Sequence, residues 1–313
     1  MTARNAIMPF PARLKTELKL DPVLLTLVSV LLLGGLVILA SASITISDNA
    51  TGNPFFYLER QVVAALIGIA AGLTCLFIPM SVWQALGFPM LLLGLALLTI
   101  VLVPGIGYEV NGATRWVRFG IMNLQVSEPA RLCLLIYVAG YAVRQEKALR
   151  ERFVGFLRPM LVLSIACVLL LAEPDFGAAI VLLATALVVL FVAGARIRDF
   201  IVFFSATVVA MAVLALTSPY RVSRLTGFLD PWADPYSSGF QLIQSLIAIG
   251  RGEWLGRGLG DGVQKLFYLP EAHTDFVFAV FAEEFGLLGS VVLITLFLAL
   301  LWRVFKLAMR AAD

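Results

Sequence analysis

Charged residues are scarce in this sequence, and their scarcity excludes an ordinary soluble domain. They make up 14% of 313 positions, where a soluble domain carries roughly 25%. Apolar residues make up 61% and gather into long runs. The net charge of +3 gives no sign of nucleic-acid binding. The composition therefore predicts a membrane protein.

The sequence also has few cysteines and histidines: three cysteines and one histidine. Cys75, Cys133 and Cys167 lie inside apolar runs, without the spacing of a metal site or a disulfide framework. We interpret them as packing residues. The first apolar run is too long for a cleavable signal peptide and lacks a small-residue cleavage site. No repeat of roughly 20–50 residues is visible, which excludes a solenoid.

Eight apolar runs reach, or nearly reach, the about 20 residues that a spanning helix needs. We predict an all-α integral membrane protein, a polytopic helical bundle with eight spans. The runs are approximately 22–43, 61–79, 83–104, 128–143, 158–173, 177–195, 199–217 and 277–302. The expected regions are an N-terminal tail (1–20), a bundle of seven spans (21–217), a large outer loop (218–275) and an eighth span with its end (276–313).

Lys and Arg predict the orientation, because cytoplasmic loops carry an excess of both. Basic residues precede the first run, so we expect a cytoplasmic amino terminus and a cytoplasmic carboxyl end. An odd number of spans would place several basic loops outside. The basic residues assigned to the cytoplasm are Arg4, Arg13, Lys15, Lys19, Arg144, Lys147, Arg150, Arg152, Arg158, Arg196, Arg198, Arg303, Lys306 and Arg310.

The remaining basic residues lie on the outer side, where the topology does not need them. A negatively charged ligand at the outer face explains them most simply. We expect Arg224 and Lys265 to be exposed cations, whose replacement weakens ligand binding more at low salt than at high salt. The outer set is Arg60, Arg115, Arg118, Arg131, Arg221, Arg224, Arg251, Arg257 and Lys265.

The stretch 218–275 is far longer than a connection between two spans requires. Its many aromatic and aliphatic residues argue against disorder, so we expect it to fold on the membrane surface. Within it, residues 250–262 interleave glycines with Arg251 and Arg257. Such a loop can turn backbone N–H groups inward around an anion, and a flexible linker is the alternative. It matches neither the dinucleotide fingerprint nor the P-loop.

Short polar motifs flank the central runs. Asn111–Trp116 is typical of a turn followed by an amphipathic segment at headgroup level. Ser127 fits an N-cap, and Glu128 and Arg131 share one helix face. That pair is either a structural ion pair or, as we favour, the charged mouth of a cavity. The carboxylates of Glu173-Pro174-Asp175 either cap the next helix or line the same cavity.

The densest polar cluster, Leu269–Asp275, stands directly before the last run. It contains Glu271, Asp275 and His273, the single histidine of the chain. A carboxylate at a helix start is often a cap. The surrounding polar loop favours a functional role for Asp275.

Five of these stretches, in this order, resemble the motifs of the SEDS family of bacterial wall polymerases, which includes FtsW and RodA. Details of the outer loop are similar to the division branch, FtsW, rather than to the elongation branch, RodA. The five stretches are Asn111–Trp116, Gln125–Arg131, Glu173–Gly177, Tyr220–Gly262 and Leu269–Asp275. The division-branch details are Pro219–Arg221, Gly250–Glu253, Gly262–Leu266 and Pro270–His273.

The sequence departs from the family pattern in three places. In the family motif Gln-Pro-Ser-Glu-x-x-Lys, this sequence has Val126 in place of the proline and Arg131 in place of the lysine. The arginine keeps the positive charge but replaces a compact ammonium group with a planar guanidinium group. Gln-Pro-Asp begins with Glu173 here. The family has ten spans and a carboxyl-terminal Ser-Tyr-Gly-Gly-Ser motif, so we expect this chain to be truncated relative to it.

The resemblance implies a peptidoglycan glycosyltransferase that polymerises lipid II at the division septum, on the outer face of the bacterial inner membrane, and releases undecaprenyl diphosphate. It implies that Asp275 is the general base and that the anomeric carbon inverts. No cofactor follows with certainty, and a divalent cation (Mg²⁺ or Mn²⁺) at the diphosphate stays open. The implied substrate-binding residues are Arg60, Arg115, Glu128, Arg131, Asp175, Arg221, Arg224, Gln244, Lys265, Glu271 and His273.

The implied partners are lipid II, membrane lipids, a cognate class B penicillin-binding protein (the septal transpeptidase FtsI) and FtsQ, FtsL, FtsB and FtsN of the divisome, without nucleic acid. Two alternatives are a lipid II flippase or transporter and a non-catalytic division scaffold. A transporter should carry ionisable residues through the bilayer midplane, and we interpret the spans as nearly free of them. A scaffold leaves Asp275 and the glycine loop unexplained.

Overall fold

The structure is a computed structural model that describes residues 20–110, 113–119, 122–237, 239–266 and 268–310. The expected amino-terminal tail up to residue 19, with its four basic residues, lies outside this range, as do Asn111 and Gly112 of the first polar motif. Helices dominate. They are α1 (Pro22–Thr51), α2 (Phe56–Phe77), α3 (Met80–Ala85), α4 (Gly87–Val101), α5 (Ser127–Arg144), α6 (Glu146–Glu151), α7 (Phe153–Ala172), α8 (Phe176–Val192), α9 (Ile197–Leu216), α10 (Pro219–Leu229), α11 (Phe240–Arg251) and α12 (Val277–Ala308).

Every predicted apolar run is helical, and the run 83–104 is divided between α3 and α4. Among the described residues, five helices are long and apolar enough to cross a membrane, namely α1, α2, α7, α9 and α12. The helices α4 and α8 are apolar but shorter. The predicted class, an all-α polytopic membrane protein, is confirmed, while the number of crossings stays a prediction.

Local sequence sets both ends of α1. Asp21 accepts a hydrogen bond from the Leu24 N–H at 2.8 Å, and Pro22 occupies the first turn, where its missing N–H costs nothing. The helix ends at Gly52, whose φ of 72° favours glycine. Asp21 also binds Arg303 of α12. This hydrogen bond, together with the one from the Leu24 N–H, lowers the pKa of Asp21 to about 2.

The chain divides into two compact units, which we call the central unit (residues 70–222) and the terminal unit (residues 1–69 and 223–313). In the central unit, α4, α5, α7 and α8 pack around one apolar core. Its fully buried side chains include Leu98, Leu134, Phe156, Leu163 and Leu182. Within a membrane such side chains hold the helices together by van der Waals packing, because lipid tails are as apolar as the side chains themselves.

The central unit also holds a three-stranded antiparallel sheet that we did not predict. Its strands are β1 (Tyr108–Val110), β2 (Ala113–Phe119) and β3 (Met122–Gln125), in that order. Trp116 pairs with Gln125 in the β2–β3 register. The amphipathic segment expected after Asn111 is therefore a strand, and β3 leads directly into α5.

In the terminal unit, α12 packs against both α1 and α11. Small side chains allow the close approach, since Ala42, Ala248, Ala272 and Ala279 are all buried. The helix α12 is broken at Gly286, where φ is 66° and ψ is −165°. The long stretch 218–275 is folded, as its composition predicted, and contains α10, α11 and a 3₁₀ turn at Pro231–Ala233.

The glycine-rich loop lies against the break in α12. The Arg257 N–H donates to the Glu283 carbonyl and the Gly258 N–H to the Glu284 carbonyl, both at 3.0 Å. In return, the N–H groups of Leu287 and Leu288 donate to loop carbonyls at 2.9 and 3.1 Å. These bonds satisfy backbone groups that the break exposes. The flexible-linker interpretation is therefore wrong.

Candidate functional site

Asp175 is the centre of a polar cluster in the central unit. The turn between α7 and α8 carries it, and its Oδ1 accepts from the Ala178 N–H at 3.1 Å, so the predicted N-cap is confirmed. Its Oδ2 accepts from the Ser127 hydroxyl at 3.1 Å and from Gln125 Nε2 at 3.3 Å. Arg115 Nη1 of β2 lies 3.6 Å from Oδ1. Strand, turn and helix start thus converge on one carboxylate.

Ser127 does not cap α5. The N-cap position is Val126, which makes no side-chain cap. The Ser127 hydroxyl instead donates to Asp175, 48 positions along the chain. The prediction of a Ser127 N-cap is wrong because the N-cap position is Val126, which places Ser127 inside the first turn of the helix.

Glu173 lies beside this cluster and is fully buried. Among the described residues, neither of its carboxyl oxygens has a hydrogen-bond partner. Burial, together with the neighbouring Asp175, raises the pKa of Glu173 to about 8, although Arg115 partly opposes the shift. Glu173 is therefore mostly a neutral acid at pH 7. A neutral acid resembles an amide, and the family motif begins with Gln at this place.

Two further candidates of the central unit make local contacts. Glu128 and Arg131 form an ion pair on one face of α5, while the cavity mouth that we favoured for them stays a prediction. The Arg221 guanidinium lies 4.7 Å from the centre of the Phe176 ring and donates to the Leu214 carbonyl at 2.7 Å. Arg221 is therefore held in place by an aromatic face.

In the terminal unit, the segment Leu269–Asp275 is anchored by apolar side chains. Leu269 and Ala272 are buried. Glu271 has a φ of 54° and accepts a hydrogen bond from the Thr274 hydroxyl at 2.8 Å. The His273 ring packs on Tyr57 with centroids 4.6 Å apart.

Asp275 differs from these neighbours because it is exposed. The N-cap residue of α12 is Phe276, and no side chain caps that helix. No hydrogen bond or ion pair of the Asp275 carboxylate is found among the residues that the structure describes. The capping interpretation of Asp275 is therefore wrong, and its oxygens are available as acceptors.

Lys265 is buried, with 5% of its surface exposed, so the expectation of an exposed cation is wrong. Its Nζ lies 2.5 Å from Glu284 Oε1 and 2.7 Å from the Ser41 hydroxyl. Glu284 and its neighbour Glu283 belong to α12 and are both buried. Sequence reasoning missed this pair of glutamates, although two adjacent carboxylates inside an apolar run are a signal in themselves.

The other candidates of the terminal unit lie on three different elements. Arg60 is exposed on α2, with its guanidinium 5.1 Å from the Phe56 ring centre. Arg224 is exposed on α10, and Gln244 is half-buried on α11. Within the described ranges, no three His, Cys, Asp or Glu side chains are grouped so as to hold a metal ion.

Comparison with known proteins gives one consistent family. Residues 22–313 match the family described as cell cycle protein, FtsW/RodA/SpoVE. The probable peptidoglycan glycosyltransferase FtsW of Thioalkalivibrio sulfidiphilus is 53% identical over 99% of this chain and 77% of its own length. The protein of the same name from Alkalilimnicola ehrlichii is 55% identical over 86% of this chain and 67% of its own length.

Solved structures agree in fold. A chain of the solved structure described as "Structural coordination of polymerization and crosslinking by a peptidoglycan synthase complex" is 34% identical to this one. Its TM-score is 0.71, and the match covers 94% of this chain and 80% of that chain. The rod shape determining protein RodA of Thermus thermophilus is 29% identical, with a TM-score of 0.65, over 95% and 77% of the two chains. The chain therefore belongs to the SEDS family of FtsW, RodA and SpoVE, and within that family to the FtsW branch.

Proposed function

We propose that this chain is a peptidoglycan glycosyltransferase, a multi-pass membrane enzyme that joins lipid II units into glycan strands. Family membership supports the proposal, together with the name that relatives about half identical to this chain carry. The reaction takes place on the outer face of the inner membrane, at the division septum. The distribution of Lys and Arg supports this orientation, with the amino terminus in the cytoplasm.

The chemistry needs one proton acceptor from the protein. The 4-hydroxyl oxygen of the acceptor sugar bonds to the anomeric carbon of the donor, and the bond from that carbon to the diphosphate oxygen breaks. The diphosphate leaves with the bonding electrons, so no general acid is required. A glycosidase, in contrast, needs two carboxylates at a set separation. The acceptor proton passes to Asp275, which acts as general base.

One observation carries this assignment more than any other. Asp275 is exposed and free of described partners, whereas the nearby carboxylates of Glu271, Glu283 and Glu284 are each engaged. A general base must reach the proton that it removes. Asp275 meets this requirement, and among the exposed aspartates of this region it is the one that lies in the motif Leu269–Asp275.

The anionic diphosphate requires cations. We assign it to arginines, with the exposed Arg60 and Arg224 as candidates of the terminal unit and the half-buried Arg131 as a candidate of the central unit. Lys265 does not fit this role, because its ammonium group is bound to the Glu284 carboxylate. Further substrate contacts are assigned to Arg115, Glu128, Asp175, Arg221, Gln244, Glu271 and His273.

The enzyme would act with a class B penicillin-binding protein, the septal transpeptidase FtsI, and with FtsQ, FtsL, FtsB and FtsN. The description of one structural relative as part of a peptidoglycan synthase complex supports a partner of this kind. A transpeptidase needs newly made glycan strands as its substrate, so the two activities belong together.

A lipid II flippase is the second candidate. The sequence indicated spans nearly free of ionisable residues, which a transporter would need. The last span is not free of ionisable residues, since α12 carries Glu283 and Glu284. Both glutamates are engaged with the glycine-rich loop and its lysine. Their bonds hold the loop on α12, and they do not form a row of titratable groups along a transport path. This favours the enzyme.

Incubation of purified protein, its cognate transpeptidase and fluorescent lipid II in detergent separates the two functions. The enzyme yields a ladder of glycan strands without ATP or an ion gradient. A flippase yields no polymer, but moves labelled lipid II across vesicle membranes. Transbilayer movement without polymer would refute the glycosyltransferase.

A further inference from the structure

The start of α12, residues 277–285, forms a short helical segment between Asp275 and the break at Gly286. The glycine-rich loop packs backbone against backbone at its far end. A Cβ atom added to Gly252 would lie 2.0 Å from the Ala282 carbonyl oxygen, and one added to Gly256 would lie 2.1 Å from that of Glu284. Such approaches are open to glycine alone. The glycines are therefore required where the loop meets the helix.

Glu283 binds the loop through its carboxylate. Its Oε1 accepts from the Val263 N–H and its Oε2 from the Gln264 N–H, both at 3.1 Å. The Arg251 Nε lies 3.8 Å from Oε1. Consecutive N–H groups of this kind form an anion-binding concavity. The anion that occupies it is a side chain of the same protein.

Glu284 binds the next residue of the loop. Its Oε1 accepts from Lys265 Nζ at 2.5 Å and from the Ser41 hydroxyl of α1 at 2.7 Å. Lys265 and Glu284 are both almost fully buried. A buried ion pair of this kind contributes little net stability, but removing one partner leaves a costly unpaired charge. The pair therefore fixes position more than it adds stability.

Hydrogen bonds link the loop to the segment that carries Asp275. The Gln264 N–H is held by Glu283, and the Gln264 carbonyl accepts a hydrogen bond from the Leu269 N–H at 2.9 Å. Leu269 and Ala272 are both buried. One series of hydrogen bonds therefore connects the Glu283 carboxylate with the residues that precede Asp275.

We propose that Glu283 and Glu284 are positioning residues for Asp275. They hold the loop on the far end of the segment 277–285, and the loop in turn holds the residues that precede Asp275. The inference rests on the proposed function for its catalytic part. It assigns Lys265 to Glu284 rather than to the substrate.

The test combines a structural probe with kinetics. Ala272→Cys, in a Cys75→Ser background, places a thiol at a buried position three residues before Asp275. Maleimide labelling of this thiol reports loosening of the segment, while labelling of the buried Cys133 and Cys167 reports unfolding. The variants are Glu283→Gln, Glu284→Gln, Lys265→Met and the double variant Lys265→Met with Glu284→Gln. Glu253→Gln is the matched control, because its carboxylate is exposed on the same loop.

We expect each single variant to label faster at residue 272, with Cys133 and Cys167 still protected. A misplaced base should lower kcat on the order of 10²-fold, with KM for lipid II near that of the parent. The double variant removes both buried charges and should regain part of kcat, whereas Glu253→Gln should match the parent.

Two results would overturn the inference. One is that both Glu283→Gln and Glu284→Gln label at residue 272 as slowly as the parent and have the parent's kcat. The other is a raised KM in Lys265→Met that the double variant does not relieve, since that would place Lys265 on the substrate. A parent protein that makes no polymer contradicts the proposed function instead, and the labelling rates still decide whether the glutamates hold the segment.

Discussion

At the scale of single residues, Asp275 and Glu173 show how surroundings divide the tasks of carboxyl groups. Asp275 is exposed and uncapped, and it can accept a proton. Glu173 is fully buried, and its raised pKa keeps it mostly neutral at pH 7. Each property yields a prediction that a single substitution can test.

Asp275→Asn retains the size of the side chain but removes its ability to act as a base. General-base catalysis contributes about 10²–10⁴-fold in rate, so we expect almost no glycan polymer on a gel. Membrane insertion and lipid II binding should stay at the level of the parent. Asp261→Asn is the control, because Asp261 is an exposed aspartate in the nearby glycine-rich loop. Near-normal polymer from Asp275→Asn, at equal protein amount, would refute the assignment.

Glu173→Gln should remove a pH dependence of stability. Since the folded-state pKa is raised from 4.5 to about 8, the contribution of the neutral acid is complete below pH 4.5 and is lost as the pH rises through 8. The parent's stability in detergent should therefore fall between about pH 4.5 and about pH 8, by at most about 1.4 kcal/mol per pH unit, and its melting temperature should fall with it. Glu173→Gln should show a flatter profile.

Glu146→Gln serves as the control for this measurement. Glu146 is more than half exposed on α6, so its replacement should leave the parental profile unchanged. If Glu173→Gln and the parent lose stability in parallel, the buried carboxyl is not the group that titrates.

At the scale of elements, the break in α12 is the feature that departs furthest from regular structure. A Cβ atom added to Gly286 would lie 2.4 Å from the Gly256 nitrogen, and the φ of 66° is unfavourable for other residues. We expect Gly286→Ala to destabilise the protein by about 1–3 kcal/mol. Thermal unfolding in detergent measures the effect.

The matched control is Gly68→Ala on α2, where an added Cβ meets nothing within 4 Å. Alanine is favoured over glycine inside a helix by roughly 0.5–1 kcal/mol, so this variant should be as stable as the parent or more stable. Equal loss of stability in both variants would show that the break places no special demand on residue 286.

The same elements show what the sequence could and could not predict. Helices follow from long apolar runs, and the Asp175 cap follows from its place one residue before α8, because both signals are local. The break at Gly286 was missed because a single glycine is tolerated within a helix. The backbone groups on both sides of the break bond to the glycine-rich loop, which precedes α12 in the chain and which no pattern within α12 reveals.

Side-chain partners were harder to predict than elements. Lys265 and Ser41 are 224 positions apart, and no local sequence pattern predicts that they form a hydrogen bond. Ser127 fits a cap by position, yet its hydroxyl binds Asp175 instead. The motifs indicated which residues matter, while folding decided which of them are exposed and which are engaged.

At the scale of the whole molecule, the orientation in the membrane decides on which side the proposed chemistry takes place. The positive-inside rule places α6 in the cytoplasm and the stretch 218–275 outside. Lys147 on α6 and Ser237 in the outer stretch are both exposed. They are therefore suitable positions for cysteine labelling.

Lys147→Cys and Ser237→Cys, each in a Cys75→Ser background, should respond oppositely to a membrane-impermeant maleimide added to spheroplasts. Ser237→Cys should be labelled before lysis, because its loop is predicted to face outward, and Lys147→Cys only after lysis. Cys133 and Cys167 are buried and should stay silent in both. Labelling of Lys147→Cys in sealed spheroplasts would reverse the orientation. Asp275, just before α12, would then face the cytoplasm, where polymerisation at the outer face could not use it.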